Sequence, residues 1–326
     1  MTEPTPPEPT DPVALTAALI RCPSVTPEEA GAIALLEEVL GAIGFRCTRI
    51  ARGGVENLYA RWGEGRPVFA FAGHTDVVPP GDPSAWSAPP FAAETRDGVM
   101  LGRGAVDMKS GVAAFVAAAH RLIAETPPDG SIALLVTGDE EGPAIDGTAA
   151  ILDWMAEAGE QADFCLVGEP TSLARVGDRV KIGRRGSMTG TLVVRGVAGH
   201  AAYPDRANNP LPVLARIAAR LAETPLDTGS THFEASTLAL TTIDVGNPAT
   251  NVIPAEGRAV FNIRFNDLHN SEELKVWAEE IVAVELKGTG LEADLDWQVS
   301  GESFLTDPTG PAEIVAAAVT ESCLEG

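Results

Sequence analysis

Four Gly-flanked segments carry most of the residues in this chain that could do chemistry. His74 and Asp76 follow a short apolar run at residues 68–72, in Gly-His-Thr-Asp. Glu140 and Glu141 follow a second run at 131–137, in Gly-Asp-Glu-Glu-Gly, and Glu169 follows a third at 164–167, in Gly-Glu-Pro. Asp107, in Gly-Arg-Gly-Ala-Val-Asp-Met-Lys, stands just before an Ala-rich stretch. Carboxylates crowded together repel one another and are costly to desolvate unless cations neutralise them. One imidazole among several carboxylates is a ligand set suited to zinc, with cobalt or manganese as alternatives. Singly, each segment is ordinary: a His after a strand, an acidic loop and a Gly-Glu-Pro turn all occur without a metal. The signal is that all four sit at strand ends or a helix start.

The elements needed to position them are legible. Residues 13–20 and 30–43 have helical periodicity, with Pro27 suited to the first turn of the second helix. Residues 68–72, 131–137 and 164–167 read as buried strands, and 112–124 and 149–158 as helices. This alternation predicts an α/β fold with a mostly parallel central sheet and helices on both faces. In such a sheet the carboxyl ends of the strands share one edge, where the ligand crevice lies. Residues spread from 74 to 169 would therefore meet in one cleft.

From about residue 186 the pattern changes. Strands at 189–195, 237–245, 258–265 and 291–299 and helices at 210–222 and 272–286 follow the order βαββαβ. That is the ferredoxin-like arrangement, an antiparallel sheet backed by two helices. It reads as an inserted domain over residues 185–298, with 1–184 and 299–326 forming the catalytic metal-binding domain and a further helix near 312–322.

Composition narrows the partners. The 326 residues suit two domains, and 46 acidic against 23 basic residues give a net charge of −23. A field of that sign repels phosphates and anionic headgroups, so neither nucleic acid nor a membrane is expected as a partner. Cys22, Cys47, Cys165 and Cys323 lack Cys-x-x-Cys spacing and are expected to be reduced thiols. Residues 1–12 are Pro-rich and acidic, a frayed tail rather than a signal peptide, and no apolar run approaches the ~20 residues that span a bilayer. A cytoplasmic, bacterial protein is the expectation.

In order and spacing, the four segments resemble the aminoacylase/carboxypeptidase group of dinuclear zinc hydrolases. The stretches 82–91 (DPSAWSAPPF), 140–148 (EEGPAIDGT), 181–187 (KIGRRGS), 199–204 (GHAAYP) and 251–254 (NVIP) narrow the likeness to its desuccinylating branch, over nearly the whole chain. The resemblance implies two zinc ions per subunit, with cobalt possible. Asp107 would bridge them, His74 and Glu169 would complete the first site, and Glu141 would belong to the second. Glu140 would be the general base, and Asp76 would accept a hydrogen bond from the other ring nitrogen of His74. The inserted domain would serve as lid and dimerisation domain of a homodimer, His200 reaching into the partner subunit's active site to steady the oxyanion. Lys181, Arg184, Ser187, Tyr203, Asn251 and Arg264 match substrate-contacting positions, apt for a small anionic substrate whose carboxylates need cationic forks. Arg185, Arg206, His120, His232 and His269 are given no role.

The reaction so implied is hydrolysis of N-succinyl-LL-2,6-diaminopimelate to succinate and LL-2,6-diaminopimelate, in lysine and peptidoglycan precursor synthesis. Deacetylation of acetylornithine, or peptide cleavage, is the alternative within the group; a non-catalytic remnant is the alternative outside it. The group's second site ends with a distant His, preceded by a Ser-Gly-Gly-Thr-Ser-Asp-type loop. Neither occurs here, where the last His is His269. The expectation is a C-terminally truncated member whose second metal, held by Asp107 and Glu141, binds weakly and whose activity is impaired.

Overall fold

Local chemistry sets where the first helices begin. Asp11 caps α1 (Pro12–Arg21), its Oδ1 accepting from the amides of Val13 at 2.9 Å and Ala14 at 3.0 Å. Helix α2 (Ala32–Ala42) starts later than the periodicity suggests, because Ala30 and Gly31 take positive φ angles of 47° and 92°. Pro27 consequently lies in the turn ahead of α2 and not in its first turn. The Glu29 carboxylate caps the helix instead, accepting from the Ile33 amide at 2.9 Å. This computed structural model describes residues 8–307 and 309–324. The start of the expected N-terminal tail, residues 1–7, and the Cys323 side chain lie outside the described residues.

The sequence pattern assigns no element to residues 44–67, yet these form a hairpin of β1 (Arg46–Arg52) and β2 (Val55–Trp62). Its turn is Gly53-Gly54, whose φ angles of 58° and 88° are what a tight two-residue hairpin asks for. Strands β3 (Val68–His74), β4 (Ser131–Thr137) and β5 (Phe164–Val167) complete a sheet of order β1-β2-β4-β3-β5. β3 runs parallel to β4 and β5, while the hairpin adds the antiparallel part. The sheet is therefore mixed, and its parallel strands are the three that precede the acidic segments. β4, near the middle, is buried throughout. β5 pairs on one side only and alternates between half-buried and exposed, unlike the buried strand its composition suggests.

Both faces of the sheet are covered. Helices α1, α2 and α3 (Ser110–Glu125) close one face, where Leu19, Leu36 and Val112 meet Leu58, Phe71 and Leu134. Helix α4 (Thr148–Ala158) closes the other, where Ile151 and Met155 meet Tyr59, Ala133 and Leu135. Adjacent residues of β4, Leu134 and Leu135, thus serve opposite cores, as the pleat requires.

The chain divides into two compact units, Met1–Ser172 and Leu173–Gly326. The second holds β6 (Gly186–Arg195), α5 (Leu211–Glu223), β7 (Thr237–Asp244), β8 (Glu256–Phe265), α6 (Ser271–Leu286) and β9 (Glu292–Gly301). Its sheet is antiparallel with order β7-β8-β6-β9, the βαββαβ fold expected. Met188, Leu192, Phe261 and Ile263 form its core with Ile217 of α5 and Leu274 and Ile281 of α6. Residues 183–184 pair antiparallel with 304–305, and α7 (Pro311–Leu324) follows. Among the described residues, no helix is long and apolar enough to cross a membrane.

Candidate metal centre

Because β3, β4 and β5 are parallel, their carboxyl ends open on one edge, and the register aligns His74 with Thr137 and Ala72 with Val167. His74 closes β3 and is 1% exposed. A side chain at Gly73 would come within 2.6 Å of the Met108 methyl, and one at Gly168 within 2.7 Å. Met108 fills the space these two glycines leave, and so seats the Asp107 turn against the strand ends.

Around His74 the carboxylates converge. Its Nε2 lies 3.0 Å from Asp107 Oδ1, 3.3 Å from Glu169 Oε1 and 3.9 Å from Glu140 Oε2. Its Nδ1 lies 2.9 Å from the main-chain oxygen of Asp76 and 3.5 Å from Asp76 Oδ1. The nearer acceptor is the carbonyl, because the Asp76 carboxylate is engaged elsewhere: it accepts from the amides of Glu140 at 3.2 Å and Glu141 at 3.0 Å. Asp76 thus fixes the backbone beneath both glutamates as well as facing the His74 ring. Two ligand groups result, His74-Asp107-Glu141 and His74-Glu140-Glu169, in each of which the ligand atoms lie within 4.8 Å of one another.

The charges are out of balance in a way a cation would correct. Burial opposes a charge on His74, but the carboxylates of Asp76 and Glu169 outweigh it and push its pKa up to about 11. Glu140 is raised by burial and by Glu169, Asp76 and Asp107, with His74 opposing. Glu141 is raised by burial and by Asp107. Imidazole nitrogen, carboxylate oxygens and mutual carboxylate repulsion together fit a divalent metal ion. Asp107 and Glu140 are about half exposed, so the centre is open to a substrate.

Sequence reasoning missed the groups that brace this centre. Lys109, fully buried, donates to the carbonyls of Leu19 at 3.0 Å and Cys22 at 2.8 Å and to Ser24 Oγ at 2.8 Å. Ser24 Oγ donates in turn to the Thr75 carbonyl at 2.6 Å. The C-terminal end of α1 is thereby tied to the Asp107 turn and to the residue after His74. Burial pulls the Lys109 ammonium down to about 8. The available signal was a Lys two positions past Asp107, where the sequence is otherwise small and apolar.

The remaining candidates lie in the second unit, in two places. His200 pairs with Val252, the Ala201 amide donates to the Asn251 carbonyl at 2.9 Å, and the His200 and Tyr203 rings are 5.8 Å apart. Arg206, given no role from sequence, lies over the Tyr203 ring at 5.4 Å. Ser187 and Arg264 are register partners of β6 and β8, with Arg184 just before β6 and Lys181 exposed ahead of it. His269 is a structural residue, its Nε2 lying 3.1 Å from Asp227 Oδ2.

The chain belongs to peptidase family M20/M25/M40, which residues 70–325 match. It is 59% identical over 313 residues to a succinyl-diaminopimelate desuccinylase of Cereibacter sphaeroides, covering 95% of this chain and 82% of that protein. It is 58% identical over 312 residues to succinyl-diaminopimelate desuccinylase 1 of a Ruegeria species, with the same shares. In fold it is similar to aminopeptidase PepT from Bacillus cereus, with a TM-score of 0.73 at 21% identity over 95% of this chain and 81% of that one. A dinuclear metal binding peptidase of the M20 family from Bacillus subtilis gives a TM-score of 0.70 at 17% identity, over 96% and 80%.

Proposed function

We propose that this protein is a metal-dependent amide hydrolase converting N-succinyl-LL-2,6-diaminopimelate and water to succinate and LL-2,6-diaminopimelate. One observation carries the reading. His74, Asp107, Glu140, Glu141 and Glu169 meet at a single strand edge in a chain 59% identical to a desuccinylase. His74, Asp107, Glu141 and Glu169 would hold two zinc ions, or cobalt in their place, with Asp107 shared. Bound there, the metals supply positive charge that acidifies a water and polarises the amide carbonyl.

The chain's own residues do the rest. Glu140 takes a proton from the water whose oxygen adds to the carbonyl carbon. It returns that proton to the amide nitrogen as the C–N bond breaks, so the amine leaves neutral and the acyl fragment leaves as a carboxylic acid. Asp76 holds Glu140 and Glu141 by their amides and keeps the His74 ring in place. His200 would reach into the partner subunit's active site and steady the oxyanion there, and Lys181, Arg184, Ser187, Tyr203, Asn251 and Arg264 would receive the substrate's carboxylates and polar groups. Residues 185–298 would act as lid and dimerisation domain of a homodimer, with 1–184 and 299–326 as catalytic domain. The antiparallel pairing of 183–184 with 304–305 supports that boundary, since it sets the two crossing points side by side. A small anionic biosynthetic substrate fits a cytoplasmic location.

The test compares the metal-loaded chain on N-succinyl-LL-2,6-diaminopimelate, N-acetylornithine and a dipeptide, with metal counted by elemental analysis. The succinylated substrate should be preferred, and Glu140→Gln should lower kcat by about 10²–10⁴-fold with metal content unchanged. Preference for acetylornithine would overturn the substrate, and an active Glu140→Gln variant would overturn the base.

A further inference from the structure

Asp139 has no part in the chemistry above, yet it is 3% exposed while the neighbouring Glu140 side chain is 51% exposed. Its Oδ2 accepts from the amides of Ile145 at 2.9 Å and Asp146 at 3.0 Å, closing residues 139–146 into a ring. The ring is braced from outside by the hairpin. Buried Asn57 accepts from the Gly138 amide at 3.1 Å and donates to the Asp146 carbonyl at 2.9 Å, joining the two ends of the loop. Arg52 donates to Asp146 Oδ1 at 3.0 Å and to the Ile145 carbonyl at 2.6 Å. Asp76 grips the amides of Glu140 and Glu141 at the front. The loop is closely packed at Gly142, where a side chain would meet Asp139 Oδ1 at 2.4 Å and Thr26 Oγ1 at 2.8 Å. Both of those oxygens are buried without a hydrogen-bond partner.

We propose that Asp139 is a positioning residue for the general base: by closing the 139–146 loop against the Asn57 and Arg52 brace, it holds Glu140 in its orientation toward His74. This rests on Glu140 being the base. Charge is not what the position requires. A single oxygen receives both amides, so an Asn side chain can keep both bonds. Ala can keep neither. Misplacing a catalytic group by about 1 Å can lower turnover by roughly 10²-fold, so a freed loop has a measurable cost.

The experiment uses the full metal-loaded chain as wild type, Asp139→Ala, Asp139→Asn, Glu140→Gln and the Asp139→Ala/Glu140→Gln double variant. It measures hydrogen exchange of the 140–146 amides and kcat and KM on N-succinyl-LL-2,6-diaminopimelate. Asp139→Ala should lose protection at 145–146 and at least about tenfold in kcat, with KM within about twofold. In the Glu140→Gln background it should cause no further loss, and Asp139→Asn should keep both protection and turnover. Where Asp139→Ala does not fold, Arg52→Met loosens the same loop from its exposed side and should lower kcat in the same direction. A kcat unchanged per folded molecule, a full multiplicative loss in the Gln background, or an Asn variant as damaged as Ala would each overturn the proposal. Turnover surviving in Glu140→Gln would instead refute the base assignment, and the Ala-against-Asn exchange contrast would then decide the loop closure alone.

Discussion

Asp76→Asn isolates what the Asp76 carboxylate does, because the replacement has the same shape. In the native chain each oxygen receives one amide, from Glu140 at 3.2 Å and Glu141 at 3.0 Å, inside a pocket where Asp76 is 1% exposed. Asn keeps one acceptor and turns an NH2 toward the other amide, so one charge-assisted bond becomes donor against donor. Such a bond contributes roughly 1.5–3 kcal/mol, and the surviving one weakens to a neutral bond, giving a total loss of roughly 2–4 kcal/mol. For units of this size that is a fall in Tm of roughly 5–15 °C. Displaced glutamates and a less restrained His74 should also weaken zinc by about 10–100-fold. Thermal unfolding of the metal-free protein reads the first effect, and zinc competition against a chromophoric chelator reads the second. An Asn variant with wild-type Tm and wild-type zinc affinity would refute the argument, since it would mean the two amide bonds carry nothing.

Lys109→Met should destabilise the chain by about 2–4 kcal/mol in urea unfolding, because the three hydrogen bonds of the buried ammonium, to the Leu19 and Cys22 carbonyls and to Ser24 Oγ, are lost together. Met108→Ala should cost roughly 2–5 kcal/mol through the cavity it opens, and zinc titration should show weaker binding as the Asp107 turn loosens. Asp227 gives the pH dependence. Burial opposes its ionisation, but donors from Ser236, Gly229 and Asn266 overcome this and lower it from 3.8 to about 2. A folded pKa below the unfolded one stabilises above pH 4, and that stability is lost as pH falls from about 4 to 2, roughly 2 kcal/mol in all. Urea unfolding at pH 6 and pH 3 should show about half of that loss in the wild type, pH 3 lying midway through the window, and a smaller one in Asp227→Asn.

The parallel strands and their acidic ends were legible because buried apolar runs broken by Gly are unusual, and chirality and parallel pairing force their carboxyl ends to one edge. His74, Asp107, Glu140, Glu141 and Glu169 could therefore be brought together on paper from positions up to 95 residues apart. The hairpin was missed because Arg46, Arg49, Arg52 and Arg61 hide its alternation; their charged heads reach carboxylates such as Glu37 and Asp146 while their stems cover the sheet. The start of α2 was misplaced because positive φ at Ala30 leaves no mark in composition. Lys109, Asn57 and Asp139 were missed for a different reason: their role is to satisfy carbonyls and amides of distant segments, and a backbone partner has no signature in sequence.

The Gly53-Gly54 turn looks like a natural place to attach something. It is exposed, joins two short strands and contributes no candidate metal ligand. Grafting an epitope or a fluorescent reporter at such a tip is usually harmless. Here it would not be. A methyl on Gly53 would fall 1.8 Å from Asp146 Oδ2, and Arg52 and Asn57, on either side of the turn, must arrive in register to reach residues 145 and 146. One added residue would turn the following side chains to the opposite face. An insertion scan should therefore find this tip as intolerant as the buried strands, a surface loop with the mutational profile of a core.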